Sequence, residues 1–488
     1  MRQLTSLDTQ FLALEDGRQT GHVAGLAILD ASTAPSGHLG CAEVKGLLRE
    51  RLPLLPPLRW RLTQVPFNLD YPYWVDDPDF DLDYHVREIA LPKPGSDAQL
   101  AAQVARLTSR PLDRARPLWE LYVIHGLGSG MTAMLTKIHH AVIDGLSGAE
   151  IMALLLDVTP EGREIEAPDG NGNGDGGVSG EEVPGTAGML ARGLMGVPRY
   201  PLRVLKALPQ ALPNAEDAPA IFGAIPGATT VGRLAGRAQR VVKRDLPSTN
   251  RRTLVAPKTS FNGRVTPHRR FVFGQLSLDE VKDVKNKHGA TVNDVVVSVC
   301  AGAVRRWLEA HDALPEDPLV AQIPVSVRSE EQMGTYGNKI LLMAAPLFTD
   351  EADPVARLAR THDAMVDMKE HHKALPAGLL QDANHFIPPA VFARAAQLSL
   401  GMATTRVGRP NWNLVISNVP GPQFPLYLAG ARMEANYPVS VITDGMGLNI
   451  TVMSYCGHLD FGIVADRDQM PDLQKLMPFL RAELDALK

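Results

Sequence analysis

Hydrophobic positions alternate with polar ones in some stretches of the chain and recur at helical spacing in others, and the two patterns interleave from end to end. "TAMLTKI" (132–138) reads as a strand by its Thr and Ile content, and Ser147 with Glu150 marks a helix start before "AEIMALLLDV". "RRFVFGQL" predicts another strand, and "SLDEVKDVKNKHG" a helix that opens at Ser277 with Glu280 and closes at Gly289. In "TVNDVVVSVCAGAVRRWLEAH" the side chains of Val292, Val295, Val296, Val299 and Ala303 fall on one helical stripe. Strands then dominate, in "LVAQIPVSVR", "KILLMAAPLF", "NLVISNV", "GLNITVMSY" and "HLDFGIVAD", before a closing helix over "MPDLQKLMPFLRAELDALK". Helices and strands in both halves place the fold in the α/β (α+β) class.

Two stretches break this pattern. "APDGNGNGDGGVSGEEVPG" (167–185) has nothing to bury and reads as a flexible linker. The segment from Thr186 to Arg244 is broken by prolines and strongly basic, with nine cations (Arg192, Arg199, Arg203, Lys206, Arg233, Arg237, Arg240, Lys243, Arg244) against Glu216 and Asp217. Because the whole chain carries a net charge of −5, the remainder is acidic. "MLARGLMGVPRYPLRVLKALPQAL" has the composition of a basic helical connector packed across two acidic domains, and also that of an amphipathic helix lying on anionic lipid. Both readings stand at this level.

At 488 residues the chain is long enough for two large domains. Its 45% hydrophobic and 21% charged residues are ordinary for a globular protein, and the net negative charge argues against a nucleic-acid partner. Cys41, Cys300 and Cys456 stand far apart, which suggests neither a disulfide framework nor a thiolate metal site and fits a reducing, cytoplasmic setting. No window approaches about 18 uninterrupted apolar residues, so any membrane contact is expected to be peripheral.

The chemistry concentrates in "TKIHHAVIDGLSGAE" (136–150). Adjacent histidines at a strand end point to opposite faces, so His139 and His140 are poorly placed to share a metal, and no HExxH motif supports one. Ser147 lacks the glycine that a nucleophile elbow needs two residues on, since Ala149 stands there. A single imidazole with an ordinary pKa near 6.5 is enough to take a proton from a hydroxyl at neutral pH. His140 suits that role, with Asp144 buttressing the loop and Gly145 leaving room for an unusual backbone angle or for substrate. A satisfied core histidine beside an ordinary Asp-Gly turn fits the same residues.

"HHAVIDG" resembles the HHxxxDG motif of the coenzyme A-dependent acyltransferase superfamily, which includes chloramphenicol acetyltransferase and peptide-synthetase condensation domains. More narrowly, the chain resembles the bacterial wax ester synthase/diacylglycerol acyltransferase family nearly end to end. The likeness takes in "LTSLDTQFLALED", "YWVDDPDFDLDYHVRE", "PLDRARPLWELYVIHGL", "TVNDVVVSVCAGAVRRWL", "IPVSVR", "YGNKI", "NLVISNVPGP" and "GLNITVMSYCGHLDFGIVAD".

That resemblance implies two chloramphenicol-acetyltransferase-like domains with mixed sheets, over 1–160 and 256–488, joined by a helical crossover connector over 161–255 and meeting at a tunnel. It implies His140 as general base, His139 as a mainly structural neighbour, and Asp144 ordering the loop with Gly145. Asn293, together with Ser417, Asn418 and Gly421 of "SNVPGP", is expected to line the site. Pro117, Leu118 and Trp119 are expected to anchor the core, and Asp294 to cap a helix with Thr291.

The implied activity is transfer of a long-chain acyl group from acyl-CoA, a substrate rather than a resident cofactor, to diacylglycerol or a fatty alcohol. No metal is expected, and a membrane or lipid-inclusion surface is the expected place of work. Two other classes compete: a condensation-type enzyme using a carrier-protein thioester, and a non-catalytic lipid-surface protein.

Overall fold

The computed structural model describes residues 1–143, 154–163, 185, 188–190, 255–326, 340–373, 404–405 and 409–488. Asp144, Gly145, Ser147 and the basic connector helix lie outside the described residues.

The strands are β1 (Arg2–Gln3), β2 (His22–Asp30), β3 (Trp60–Thr63), β4 (Tyr73–Asp76), β5 (Val86–Ala90), β6 (Trp119–His125), β7 (Thr132–His139) and β8 (Arg269–Ser277). They continue with β9 (Val320–Ser326), β10 (Ile340–Pro346), β11 (Leu414–Val419), β12 (Tyr427–Leu428), β13 (Ala431–Val439), β14 (Leu448–Tyr455) and β15 (His458–Asp466). The helices are α1 (Ser6–Leu14), α2 (Cys41–Arg51), α3 (Leu82–His85), α4 (Asp97–Thr108), α5 (His140–Ile143), α6 (Leu278–His288), α7 (Val292–Glu309), α8 (Pro354–Lys373) and α9 (Leu476–Asp485).

Two six-stranded sheets carry the fold, in the orders β12-β13-β2-β7-β6-β5 and β10-β9-β11-β14-β15-β8, with a small sheet β1-β4-β3 beside them. Both large sheets are mixed: β5 runs parallel to β6, and β11 runs parallel to β9 and β14, while the remaining neighbours are antiparallel. Strands β12 and β13, late in the chain, do not join the sheet formed by β11 and β14 on either side of them in sequence. Strand β13 pairs with β2 of the first sheet, from Arg432 opposite Asp30 to Val439 opposite Ala24, with a register shift between Met433 and Ala435.

The α6 helix opens as its sequence predicts, with Ser277 accepting the Glu280 N–H, and closes on Gly289 at φ +65°. The second half of that cap is absent: the Glu280 carboxylate instead takes Arg481 at 2.7 Å and Lys488 at 3.0 Å from the end of the chain. The α7 helix departs from the single apolar stripe read in its sequence. Every residue from Asp294 to Val304 is buried, because α7 lies between the second sheet and helices α6, α8 and α9. A buried Glu483 of α9 ties this layer together by pairing with Arg357 of α8 and Arg306 of α7.

One hydrophobic cluster spans both sheets. Leu26, Leu100, Val104, Tyr122, Ile124 and Leu135 pack with Val265, Phe271, Ile442 and Val464. Beside it the loop after α1 crosses to the second half, where Arg18 donates to the Val265 carbonyl at 2.8 Å and to Asp444 at 3.0 Å. Gln19 accepts the Asp444 N–H at 2.8 Å.

The backbones of the two sheets approach closely at Gly462 of β15, where an added Cβ would stand 1.6 Å from the Pro438 carbonyl oxygen of β13. Backbone must shift to admit it. Gly462→Ala is therefore expected to destabilise the fold by about 3 kcal/mol, the upper end of ordinary overpacking. Urea unfolding with an unchanged midpoint in this variant would refute the close approach.

Candidate active site

Strand β7 ends at His139 and α5 begins at His140, so the two histidines diverge because one closes a strand and the other opens a helix. His22, the first residue of β2, pairs with His139 across the sheet. Three imidazoles thus gather at one end of the first sheet, and they differ in burial and in what their rings touch.

His22 is buried, with Nε2 2.8 Å from the Thr108 carbonyl, so that nitrogen donates. Burial, reinforced by the nearby Lys137 ammonium, holds its pKa well below the ordinary value and keeps it neutral. His139 is buried too, and its Nδ1 accepts the Ala141 N–H at 3.1 Å. That places its proton on Nε2, which faces Glu15 Oε1 at 3.4 Å. Taking a second proton at Nδ1 would break the bond to Ala141, so His139 is poorly suited to be a base.

His140 differs from both. It is half-buried, its ring stacks on Phe11 at 4.1 Å with 7° between the planes, and its backbone N–H donates to the Gly21 carbonyl at 2.8 Å.

Glu15, at the end of α1, holds this arrangement from behind. One carboxylate oxygen accepts the Gly21 N–H at 2.7 Å and the other takes Arg114 at 2.7 and 3.1 Å, while Arg114 also donates to the Leu12 carbonyl. Burial alone would raise its pKa. The facing His139 imidazole, the Gly21 N–H and Arg114 overcome that and hold it down at about 2. Gly21 must lack a side chain, because a Cβ there would sit 2.6 Å from His139 Nε2.

Pro117, Leu118 and Trp119 are all buried. The Leu118 carbonyl accepts the His139 N–H at 2.9 Å, and buried Trp119 donates its indole N–H to Leu58 at 2.7 Å while stacking on His85 at 4.4 Å. Next along the same strands, fully buried Lys137 donates to the carbonyls of Leu107 and Arg110 and to Glu120. Three donors meet three acceptors there, so this cation is a satisfied structural group.

The second group of predicted residues lies on the second sheet. Asn418 of β11 donates its side-chain amide to Asn293 at the start of α7, at 3.4 Å, and Ser417 is the preceding strand residue. Gly421 donates its N–H to Ser454 Oγ at 3.1 Å, and a Cβ on it would lie 2.2 Å from the Ser454 carbonyl oxygen, so the "SNVPGP" turn rests directly on β14. Asp294 caps α7 through the Thr291 N–H at 2.9 Å and binds His362 at 2.7 Å, a positioning duty.

The two groups are joined by Asn436 of β13. Its Oδ1 lies 3.3 Å from where a Gly25 Cβ would stand, and its Nδ2 lies 3.3 Å from Met453 Sδ. Met453 in turn lies 3.3 Å from the corresponding point on Gly421. Phe11, Glu15, Gly21 and Arg114 escaped the sequence reading. They lie inside the quoted stretches "LTSLDTQFLALED" and "PLDRARPLWELYVIHGL" or just after the first, but no spacing between them signals their meeting.

Because the Glu15 pKa is depressed in the fold, its contribution to stability is complete above its ordinary value near 4.5 and is lost as pH falls toward 2. Glu15→Gln is expected to lose on the order of 3 kcal/mol at pH 7 and much less at pH 3. Urea unfolding at both pH values reads this, and an equal loss at the two would contradict it.

Comparison with known proteins places this geometry in context. The wax ester synthase/diacylglycerol acyltransferase catalytic domain matches residues 4–296, and the C-terminal domain of the same family matches residues 336–488. A putative diacylglycerol O-acyltransferase of Mycobacterium tuberculosis is 34% identical over 97% of this chain and 87% of its own length. The O-acyltransferase WSD of Acinetobacter baylyi is 31% identical over 99% and 96%. Among solved structures, the wax ester synthase/diacylglycerol acyltransferase of Marinobacter aquaeolei superposes with a TM-score of 0.69 at 29% identity, covering 100% of this chain and 98% of that one. The first condensation domain of the calcium-dependent antibiotic synthetase, at 16% identity and TM-score 0.54, covers 100% of this chain and 95% of its own, and shares the two-domain chloramphenicol-acetyltransferase-like fold. With both family domains matched in order and the HHxxxDG histidines at the end of a central strand, the chain belongs to the wax ester synthase/diacylglycerol acyltransferase family.

Proposed function

We infer that the protein transfers a long-chain acyl group from acyl-CoA to the hydroxyl of diacylglycerol, and to a fatty alcohol as a second acceptor. The observation that carries this reading is the division of labour among three imidazoles. His22 Nε2 is hydrogen-bonded to the Thr108 carbonyl and His139 Nδ1 to the Ala141 N–H, with His139 Nε2 facing Glu15, while His140 stands half-buried against Phe11. Relatives named for diacylglycerol acylation and for wax ester synthesis support the two acceptors.

In this mechanism His140 accepts the hydroxyl proton as the oxygen attacks the thioester carbonyl. The tetrahedral oxyanion collapses, the carbon–sulfur bond breaks, and the imidazolium returns the proton to the departing thiolate. His139, locked as the Nε2–H tautomer, positions the backbone from which His140 projects. Asn293, Asn418, Ser417 and Gly421 form the opposite wall, and Asp144 with Gly145 of the same motif is proposed to support His140.

General-base catalysis contributes about 10²- to 10⁴-fold, so folded His140→Ala should lose activity by that factor while keeping its melting temperature. His139→Ala should lose stability as well as activity. Full turnover of labelled palmitoyl-CoA and diolein by folded His140→Ala would end the assignment, and turnover without any carrier protein would argue against a condensation-type enzyme.

The acceptors are lipids, and no helix among the described residues is long and apolar enough to cross a membrane. The basic segment Thr186–Arg244 is proposed to hold the protein on an anionic membrane or lipid-inclusion surface at the cytoplasmic side. Binding to vesicles containing phosphatidylglycerol should weaken with added salt and with removal of the segment's arginines. Salt-independent binding would refute this.

A further inference from the structure

Strand residues in the middle of a covered sheet are ordinarily sealed, and the first sheet has one row that is not. Thr136 of β7 pairs with Gly25 of β2, which pairs with Pro438 of β13, and all three are half-buried. Val23 and Ser440, one row nearer to His140 on the same face, are half-buried as well, while Ile138, which pairs with Val23, is buried. One row farther away, Met134, Ala27 and Asn436 pair in register and are all buried. The half-buried positions of β2 and β13 trace a blind path that runs from the His140 end of the sheet, past buried Ile138 on its β7 side, and stops at Met134, Ala27 and Asn436; this path is the proposed channel. The second sheet supplies its far wall, through Thr451 hydrogen-bonded to Ser440 at 2.8 Å and Met453 beside Asn436.

Gly25 sits one row short of the closed end. Glycine weakens a strand interior and is retained there where a bulge, a bend or a closely approaching group requires it. Gly25 has no left-handed φ, and the β2 ladder to both neighbours runs through it without a shift. An added Cβ would meet one atom within 4 Å, the Asn436 side-chain oxygen at a tight 3.3 Å, so even an alanine presses on Asn436 and is otherwise clear of neighbours. What the missing side chain leaves is space on the channel floor, four residues along β7 from His140, or roughly 13 Å at about 3.3 Å per residue.

We propose that Gly25 is a specificity-determining residue: it leaves room for the distal end of an alkyl chain whose reacting end lies at His140, and so sets the chain length the enzyme accepts. This rests on the acyl-transfer reading for the identity of the chain, which belongs either to the thioester or to the alcohol. Val23, Pro438 and Met453 give the channel its apolar lining, and Ser440, Thr451 and Asn436, hydrogen-bonded across the wall, its polar positions.

The full-length wild type, Gly25→Ala and Gly25→Leu are compared with acyl-CoA donors from octanoyl to stearoyl at one acceptor, and with alkanols from octanol to octadecanol at one donor. Gly25→Leu should raise the octanoyl-to-palmitoyl ratio of kcat/KM by about tenfold or more if the acyl chain lies over Gly25, since each methylene in an apolar pocket is worth about that much. The same shift in the alkanol series, with the donor series unmoved, assigns the channel to the acceptor. Gly25→Ala should fall between wild type and Gly25→Leu, and decides the matter if Gly25→Leu does not fold. Unchanged length ratios in both series overturn the proposal.

Displacement of cis-parinaric acid by octanoic and palmitic acids separates this result from failure of the acyl-transfer reading. If wild type turns over no acyl-CoA, the channel still predicts a preference for palmitic acid that Gly25→Leu abolishes. Equal displacement by the two acids in wild type and variant would refute the channel itself.

Discussion

The pairing of β13 with β2 is the constraint on which the rest of the structure depends. The first sheet is built from the amino-terminal part of the chain, yet the neighbour of β2 on one side comes from residues 431–439. Without that strand, β2 would expose an unpaired edge next to the strand that carries His139. With it, Pro438 comes down on Gly462 of the second sheet, and the relative position of the two sheets follows from backbone contact rather than from side-chain packing alone. The proposed site lies along this junction, with the histidines on one side and the "SNVPGP" turn on the other.

Within that frame, three chemically identical side chains are given different properties by their partners. A carbonyl against His22 Nε2 and a backbone N–H against His139 Nδ1 both select the Nε2–H tautomer, and burial removes His22 from titration at neutral pH. Glu15 faces His139 while its own charge is stabilised by Arg114 and the Gly21 amide. The surrounding buried charges, Lys137 with Glu120 and Arg357 with Glu483, are each paired and hydrogen-bonded, which is the condition for tolerating them in an interior.

The open row over Gly25 and the sealed row beyond it show the same economy in apolar space. A single missing side chain on an otherwise regular strand leaves a gap that neighbouring Leu26 and Ala27, both buried, do not have. Because glycine there meets no backbone requirement, the gap is a property of the sheet face and not of the turn chemistry around it.

Much of the local structure was legible in the sequence because it is set by local rules. The strand at 132–139, the cap of α7 by Thr291 and Asp294, the left-handed stop at Gly289 and the run of late strands follow from periodicity and capping chemistry acting within a few residues. His139 and His140 could be singled out because they are adjacent and lie in a recognisable motif. The burial of α7 on every side was not legible, since periodicity reports one favoured face and not how many neighbours arrive. Nor were Glu15, Arg114 and Gly21, whose meeting depends on α1 folding back onto the end of β7. The placement of β13 beside β2 is the largest such case: an alternating strand pattern states that a residue points in or out, but the choice of partner among many strands is made by the packing of the whole, where Pro438 and Gly462 fit only one way.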